Sequence, residues 1–233
     1  MSIDYSKPLT EDFIRKNKNK ISWGLISDFQ KLSESFIREF QDKVWWNSIS
    51  ESQILSENFI REFQDKVDWQ WISGYQKLSE NFIREFQDKV DWTNISQFQE
   101  LSENFIIEFQ DKVNLYFVSK NQKLSEEFIE EFQNKINWYW VSINQKLSEK
   151  VIEKYKNKVD WNNISEYQNL SANFLLKFKK KINWTLLLEK YGMTLIYYDS
   201  KYQIESNIYI SDYLEFDEFI ILAIRLISLK VFQ

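Results

Sequence analysis

The chain contains no cysteine and no histidine, and it has only three glycines and one proline among its 233 residues. Without cysteine it forms no disulfide and offers no thiolate to a metal, and without histidine it lacks the commonest general base and zinc ligand. It has no glycine-rich phosphate loop either. Carboxylates are plentiful, and two of them can cleave a glycosidic bond, but here they recur at regular helical positions. We therefore expect no enzyme activity, no cofactor and no metal site.

Long apolar runs and an excess of positive charge are also missing. The longest apolar run, residues 219–224, is far shorter than the roughly 20 residues that span a bilayer, and residues 1–7 lack the apolar core of a signal peptide. The formal net charge of -5 suits a soluble protein and disfavours nucleic acid as a partner. The sequence thus predicts an intracellular protein that does not interact with a membrane.

What the chain does contain is a 23-residue repeat that occurs eight times, from Leu9 to about Gly192, without an insertion or a deletion. Self-similarity at this period is typical of a solenoid in which each repeat packs on its neighbours. We predict a mainly α protein: an α-solenoid of eight helix-turn-helix repeats over residues 9–192, a lead-in over residues 1–8 and a C-terminal cap over residues 193–233. Positions in each repeat are counted from its first leucine, which is Leu9, Leu32, Leu55, Leu78, Leu101, Leu124, Leu147 or Leu170.

The first helix of each repeat, helix A, is predicted from a cap and an apolar stripe. In the fourth repeat, Ser79 at position 2 and Glu80 at position 3 are typical of a helix start. Apolar residues follow at positions 5, 6 and 9, here Phe82, Ile83 and Phe86, on one face of an amphipathic helix. Every repeat has a lysine at position 12, which we expect in the last turn, because a cation stabilises the negative end of a helix.

The second helix, helix B, is predicted to begin after a β-branched residue at position 13. Position 14 carries an N-cap residue except at Trp45, and position 15 carries tryptophan except at Leu115. Such a tryptophan row can stack bases and the lysine row can follow phosphates. We favour a core role for the tryptophans and a solvated role for the lysines, which have acidic neighbours. Serine at position 19 and glutamine at position 22 are expected to satisfy buried polar groups.

Residues 193–233 share no register with the repeats. Residues 194–198 and 202–210 are rich in β-branched and aromatic side chains and predict a hairpin, and residues 213–229 predict a helix. Exposure of the apolar run within this helix is unfavourable. We therefore expect the helix either to pack against the last repeat or to pair two chains in a homo-oligomer.

Positions 16, 17, 20 and 21 on helix B vary while their surroundings do not, and we call them the helix-B face. They are rich in tyrosine, tryptophan and asparagine, a combination of rigid anchors and adaptable amides that is typical of recognition surfaces. Drift among copied repeats also varies exposed positions, so this alternative stays open. The partner-binding residues that we predict are Trp71, Tyr75, Tyr116, Phe117, Tyr139 and Trp140.

The fourth repeat reads LSENFIREFQDKVDWTNISQFQE over residues 78–100. It resembles short tandem repeats in uncharacterised proteins of giant amoeba-infecting DNA viruses of the mimivirus kind. The resemblance implies a viral repeat protein in the cytoplasm of an infected host cell, and it brings no catalytic residues. We expect a non-enzymatic scaffold that binds a protein or peptide partner, with a host factor as one candidate. The alternatives are a reader of single-stranded RNA or another nucleic acid, and a self-assembling structural protein.

Overall fold

The computed structural model describes residues 3–198, 201–205 and 216–231, and the side chains of residues 3–193 and 220–228. Each repeat forms two short helices, as predicted. Helix A of the successive repeats is α1 (Glu11–Lys16), α3 (Glu34–Glu39), α5 (Glu57–Glu62), α7 (Glu80–Glu85), α9 (Glu103–Glu108), α11 (Glu126–Glu131), α13 (Glu149–Lys154) and α15 (Ala172–Lys177). Helix B is α2 (Trp23–Phe29), α4 (Trp46–Ser52), α6 (Trp69–Tyr75), α8 (Trp92–Phe98), α10 (Leu115–Asn121), α12 (Trp138–Asn144), α14 (Trp161–Tyr167) and α16 (Trp184–Lys190).

Helix A begins where the sequence predicts and ends earlier. Ser79 caps it, because its Oγ accepts the backbone N–H of Phe82 at 3.2 Å. The helix has six residues and ends at position 8, so that Phe86 at position 9 is the C-cap. The backbone N–H of Lys89 then closes a turn on the carbonyl of Phe86 at 2.9 Å. The prediction that the position-12 lysine lies in the last turn of helix A is therefore wrong, because the chain turns at position 9 to bring Val90 into the core.

Helix B has seven residues and begins at position 15, where its tryptophan stands. The carboxylate of Asp91 at position 14 accepts the backbone N–H of Asn94 at 2.7 Å. Trp45 has no side-chain acceptor, and its helix lacks a side-chain cap. The Trp45 ring instead covers Gly24 in the preceding repeat, where an added Cβ would lie 3.0 Å from three of its carbon atoms. Glycine at this helical position therefore makes room for the exceptional tryptophan.

The chain divides into two compact units, Met1–Asn121 and Gln122–Gln233. The boundaries at residues 8 and 192 stay predictions. In the first unit the helices B pack in chain order, α2 on α4, α4 on α6, α6 on α8 and α8 on α10. In the second unit α12 packs on α14, and α14 on α16. The side chains at positions 5, 6 and 18 are buried in every repeat except for the exposed Phe13 at position 5 of the first, and Phe82, Ile83 and Ile95 have no exposed surface. The predicted α-solenoid is confirmed: within each compact unit, neighbouring repeats pack on one another.

The C-terminal segment begins with the predicted hairpin. Gly192, with a φ of 67°, lets the chain leave the last helix B in a conformation that favours glycine. Strands β1 (Thr194–Tyr198) and β2 (Lys201–Glu205) then pair antiparallel. The second strand was predicted to run to residue 210, but residues 206–215 lie outside the described residues. The predicted helix start at residue 213 lies there too.

Helix α17 (Phe216–Val231) follows in the same compact unit. Its buried side chains, Ile220 and Ile224 among them, join one apolar cluster with Leu187 and Leu188 of the last repeat. This confirms the expectation that the last repeat covers the helix, while pairing of two chains through it stays a prediction. In the part of the chain that the structure describes, no helix is both long and apolar enough to cross a membrane.

Candidate interaction surface

A row of buried glutamines joins neighbouring repeats. The Nε2 of Gln76 at position 22 donates to the carbonyls of Ser50 at 3.0 Å and Gln53 at 2.7 Å in the preceding repeat. Its Oε1 accepts the backbone N–H of Leu55 at 3.0 Å. The same three contacts recur at Gln53 and Gln168. The prediction that this row satisfies buried polar groups is confirmed, because one side chain serves three backbone groups away from water.

The serine at position 19 makes a second link between repeats. The Oγ of Ser73 donates to the carbonyl of Trp69 at 2.6 Å and accepts the N–H of Asp91 in the next repeat at 2.9 Å. The half-buried Trp69 donates its Nε1–H to the carbonyl of Gln64 at 2.9 Å. Its ring lies 4.9 Å from that of Phe86 in the next repeat, measured between centroids. Serine and tryptophan are therefore both engaged inside the solenoid.

Ion pairs on helix A reverse their polarity along the chain. In the first compact unit an arginine at position 7 pairs with a glutamate at position 8 of the next repeat, as in Arg61 Nε to Glu85 Oε2 at 2.8 Å. In the second unit Glu130 at position 7 pairs with Lys154 at position 8 at 2.8 Å. Sequence analysis missed this exchange. The signal was the joint change of positions 7 and 8 between early and late repeats.

The residues of the helix-B face take no part in these recurrent contacts, and their identity varies from repeat to repeat. Positions 16 and 21 are exposed in most repeats, whereas position 17 is half-buried in most. The side chain at position 17 lies against the preceding helix B, as Asn94 shows by donating from Nδ2 to the carbonyl of Gln70 at 3.0 Å. Asn121 at position 21 likewise donates to the carbonyl of Gln97 at 3.0 Å. Some variable residues therefore hold repeats together while others meet solvent.

The six predicted partner-binding residues fall into two groups. Three are exposed by 45% to 60%: Tyr75, Tyr116 and Tyr139. The other three, all at position 17, are half-buried: Trp71, Phe117 and Trp140. On each helix the two kinds make an edge-to-face contact, such as that of Trp71 with Tyr75 at 5.1 Å between ring centroids. The half-buried rings thus support the exposed ones, and Tyr139 and Trp140 do so in the second compact unit.

Four other aromatic side chains on or beside helix B are exposed but were not among the predicted partner-binding residues, although three of them stand on the predicted helix-B face: Phe29, Trp45, Phe98 and Tyr167. Phe29, Phe98 and Tyr167 stand at position 21, like Tyr75, so an aromatic row at that position was the available signal. The side-chain hydrogen bond with Glu166 raises the pKa of the Tyr167 phenol. The phenol is therefore neutral and able to donate a hydrogen bond over the physiological pH range.

A groove lies beside Gly74, the position-20 residue of the third repeat. It encloses about 580 Å³, and its lining includes the rings of Tyr75 and Phe98 together with Lys77 and Glu100. A Cβ added to Gly74 would come into ordinary van der Waals contact with the Phe98 ring at 3.5 Å, so this position has room for a side chain. Glycine inside a helix costs roughly 0.5–1 kcal/mol relative to alanine. The groove is large enough for a side chain of a partner, and aromatic and charged residues both line it.

No group of three carboxylates stands ready to hold a metal ion among the described side chains. Comparison of the chain with protein-family models, with curated proteins and with solved structures gives no match. What the molecule binds therefore has to be argued from its own surface. Two kinds of surface differ from the rest of the solenoid: the aromatic helix-B face and a set of lysines in the last repeats.

Proposed function

We propose that this protein is a scaffold that binds a protein or peptide partner along its helix-B face. One observation carries the proposal: the recurrent polar side chains are engaged between repeats, whereas exposed aromatic rings gather at positions that vary. Tyrosine and tryptophan dominate binding energy at protein interfaces. The groove beside Gly74 adds a recess for an anchoring side chain on the third repeat. In line with the resemblance to giant-virus repeats, the partner proposed is a host-cell protein.

The test removes exposed rings without touching the core. A triple variant, Tyr75→Ser, Tyr116→Ser and Tyr139→Ser, is compared with the native chain for capture of proteins from host lysate, and each captured protein is then purified and titrated by calorimetry. Loss of one interface anchor costs at least about 2 kcal/mol. Since 1.4 kcal/mol is a factor of ten, the triple variant should bind at least about 25-fold more weakly.

The control removes exposed apolar side chains elsewhere. Ile54→Ser and Leu176→Ser change residues at positions 23 and 7, which are also well exposed. This control should bind the purified partner as the native chain does. Equal binding by the triple variant and the native chain, or equal loss in the control, contradicts the proposal. A salt-sensitive shift with homopolymer RNA that depends on the three tyrosines points instead to a nucleic-acid reader.

The half-buried rings provide a separate check. The triple change Trp71→Ala, Phe117→Ala and Trp140→Ala removes the support beneath the exposed tyrosines, so we expect it to lower thermal stability as well as binding. Circular dichroism distinguishes the two effects. Full loss of binding with unchanged melting would instead show that these three rings contact the partner directly.

A further inference from the structure

The turn that follows helix A changes its charge along the chain. Positions 10 to 12 read Lys-Asn-Lys in repeat 1, Gln-Asp-Lys in repeats 2 to 5, Gln-Asn-Lys in repeat 6, Lys-Asn-Lys in repeat 7 and Lys-Lys-Lys in repeat 8. Repeat 8, residues 170–192, has five lysines and one glutamate, although the whole chain carries a net charge of -5. Positive charge is therefore concentrated at one edge of the second compact unit.

Repeats 2 to 4 show what the position-12 lysine normally contacts. The Nζ of Lys66 donates to Gln41 Oε1 at 2.9 Å and Asp42 Oδ1 at 3.2 Å, at positions 10 and 11 of the preceding repeat. It also lies 5.8 Å from the centroid of the Trp46 ring. Lys89 repeats all three contacts one repeat later. Stacking thus brings the position-12 lysine of repeats 3 to 5 to an amide, a carboxylate and a tryptophan ring.

In the last repeat the position-12 lysine still lies beside a tryptophan ring, but the carboxylate at position 11 of the preceding repeat is absent. Lys181 lies 5.6 Å from the centroid of the Trp161 ring, as its counterparts do. The Nε1 of Trp161 donates to the carbonyl of Lys156 at 2.9 Å, so Lys156 borders the same ring. Positions 10 and 11 of the preceding repeat are here Lys156 and Asn157, so Lys181 lacks the carboxylate that Asp42 offers to Lys66. Lys43 follows the same pair of residue types, Lys18 and Asn19, in the first repeat.

The neighbouring lysines add to the unbalanced charge. Lys158 donates to Gln133 and Asn134, which are both neutral. Among the described side chains no carboxylate pairs with Lys156, Lys158, Lys180 or Lys181, in contrast to the ion pairs of Lys154 with Glu130 and Lys177 with Glu153. We call these four unpaired residues the lysine corner. Lys180 and Lys181 also line a shallow concavity with Lys177, Phe178 and Lys179.

We propose that the lysine corner binds an acidic peptide segment, a run of glutamate or aspartate side chains. Such a segment supplies the carboxylates that Asp42 and its equivalents supply inside the earlier repeats. Lysine ammonium groups are mobile point charges and accept separately placed carboxylates without a fixed geometry. This surface lies on the turn after helix A and is independent of the helix-B face.

The rings at the corner favour a peptide over a single-stranded nucleic acid. Readers of single strands stack bases on free aromatic faces beside their cations. Here the Trp161 and Phe178 rings lie 5.2 Å apart between centroids, and Lys181 covers the Trp161 ring. The described aromatic rings at the corner are thus engaged with each other and with lysine. The corner offers charge rather than a stacking platform.

The test restores the arrangement of the earlier repeats. Lys156→Gln with Asn157→Asp gives Lys181 the amide and carboxylate that Lys66 has, so the variant should fold at least as stably as the native chain. The probe is a short fluorescein-labelled peptide of alternating glutamate and glycine, measured by anisotropy at low and high salt. The native chain should bind it in a salt-sensitive manner. The variant should bind at least about tenfold more weakly, because an opposing carboxylate now occupies the corner.

The control variant is Lys31→Glu, which makes the same change in net charge at an exposed lysine outside the corner. It should bind the acidic peptide within about twofold of the native chain, as should the triple tyrosine variant, since neither touches the corner. No binding by the native chain, or equal binding by the Lys156→Gln, Asn157→Asp variant, overturns the proposal. Tighter binding of an oligouridine of matched length, lost in that variant, overturns the choice of a peptide.

Discussion

Replacement of one buried glutamine should uncouple two neighbouring repeats. Gln76 is only 5% exposed and its amide group makes three hydrogen bonds to backbone groups of Ser50, Gln53 and Leu55. The variant Gln76→Met keeps the length and roughly the volume of the side chain and removes both donor and acceptor. Two carbonyls and one N–H then remain buried without that partner. The loss is therefore one of hydrogen bonding rather than of packing.

The magnitude follows from the three lost bonds. A neutral hydrogen bond contributes about 0.5–1.5 kcal/mol net, and a backbone group left unsatisfied in the interior costs about 1–3 kcal/mol. We expect the free energy of unfolding to fall by about 3 kcal/mol, the middle of the first range for three bonds, which is large against the usual effect of a point mutation. The control Gln70→Met changes an exposed residue of the same helix and should stay within about 0.5 kcal/mol.

Two assays read the effect, one global and one local. Urea denaturation followed by circular dichroism gives the change in the free energy of unfolding. Hydrogen exchange then reports the single amide that Gln76 holds, the N–H of Leu55. Its exchange should accelerate by roughly 100-fold, since 1.4 kcal/mol is a factor of ten. The N–H of Leu78, which Gln99 holds in the same way at 3.1 Å, should be affected much less.

A loss of less than about 1 kcal/mol in the free energy of unfolding, with the Leu55 amide still protected, would contradict this role of Gln76. The glutamine row would then accompany the packing of repeats without stabilising it. A fall in stability with equal acceleration at Leu55 and Leu78 would show that the repeats unfold as one body. In that case the row stabilises the whole unit and not a single junction.

Three further changes test other contacts. Arg61→Glu should lower the free energy of unfolding. Adding Glu85→Lys to the same chain should restore about 0.5 kcal/mol of it, because the two changes rebuild the reversed ion pair of the later repeats. A double-mutant cycle measured by urea denaturation that shows no coupling would contradict this. Gly24→Ala should raise the free energy of unfolding by about 0.5–1 kcal/mol, but only in a chain that also carries Trp45→Asp, since the Trp45 ring otherwise crowds the new methyl group. Equal effects with and without Trp45→Asp would count against the contact between Gly24 and Trp45. Gly74→Gln should raise the melting temperature and weaken partner binding by filling the groove, and unchanged affinity would remove the groove from the binding surface.

The sequence alone was enough to predict the repeat, its two helices and most of its core. The cap of Ser79, the stripe of Phe82 and Ile83 and the cap of Asp91 are local signals, because capping and amphipathic spacing act within one helix. The roles of the position-19 serine and position-22 glutamine also followed, since a polar residue among apolar ones needs a partner. The early end of helix A could not be predicted in this way, because the chain turns at position 9 so that the side chain at position 13 packs in the core.

Which variable residues face solvent was decided by tertiary structure. Position 17 carries Trp71, which the sequence placed on the same surface as Tyr75, yet the packing of successive helices B half-buries the first and exposes the second. The polarity switch between Arg61 and Glu130 and the position of Lys181 beside the Trp161 ring also depend on which residues of two repeats meet. The sequence of a repeat determines at which angle around the helix axis each side chain projects. Only the stacking of one helix on the next determines which of these side chains a neighbouring helix covers.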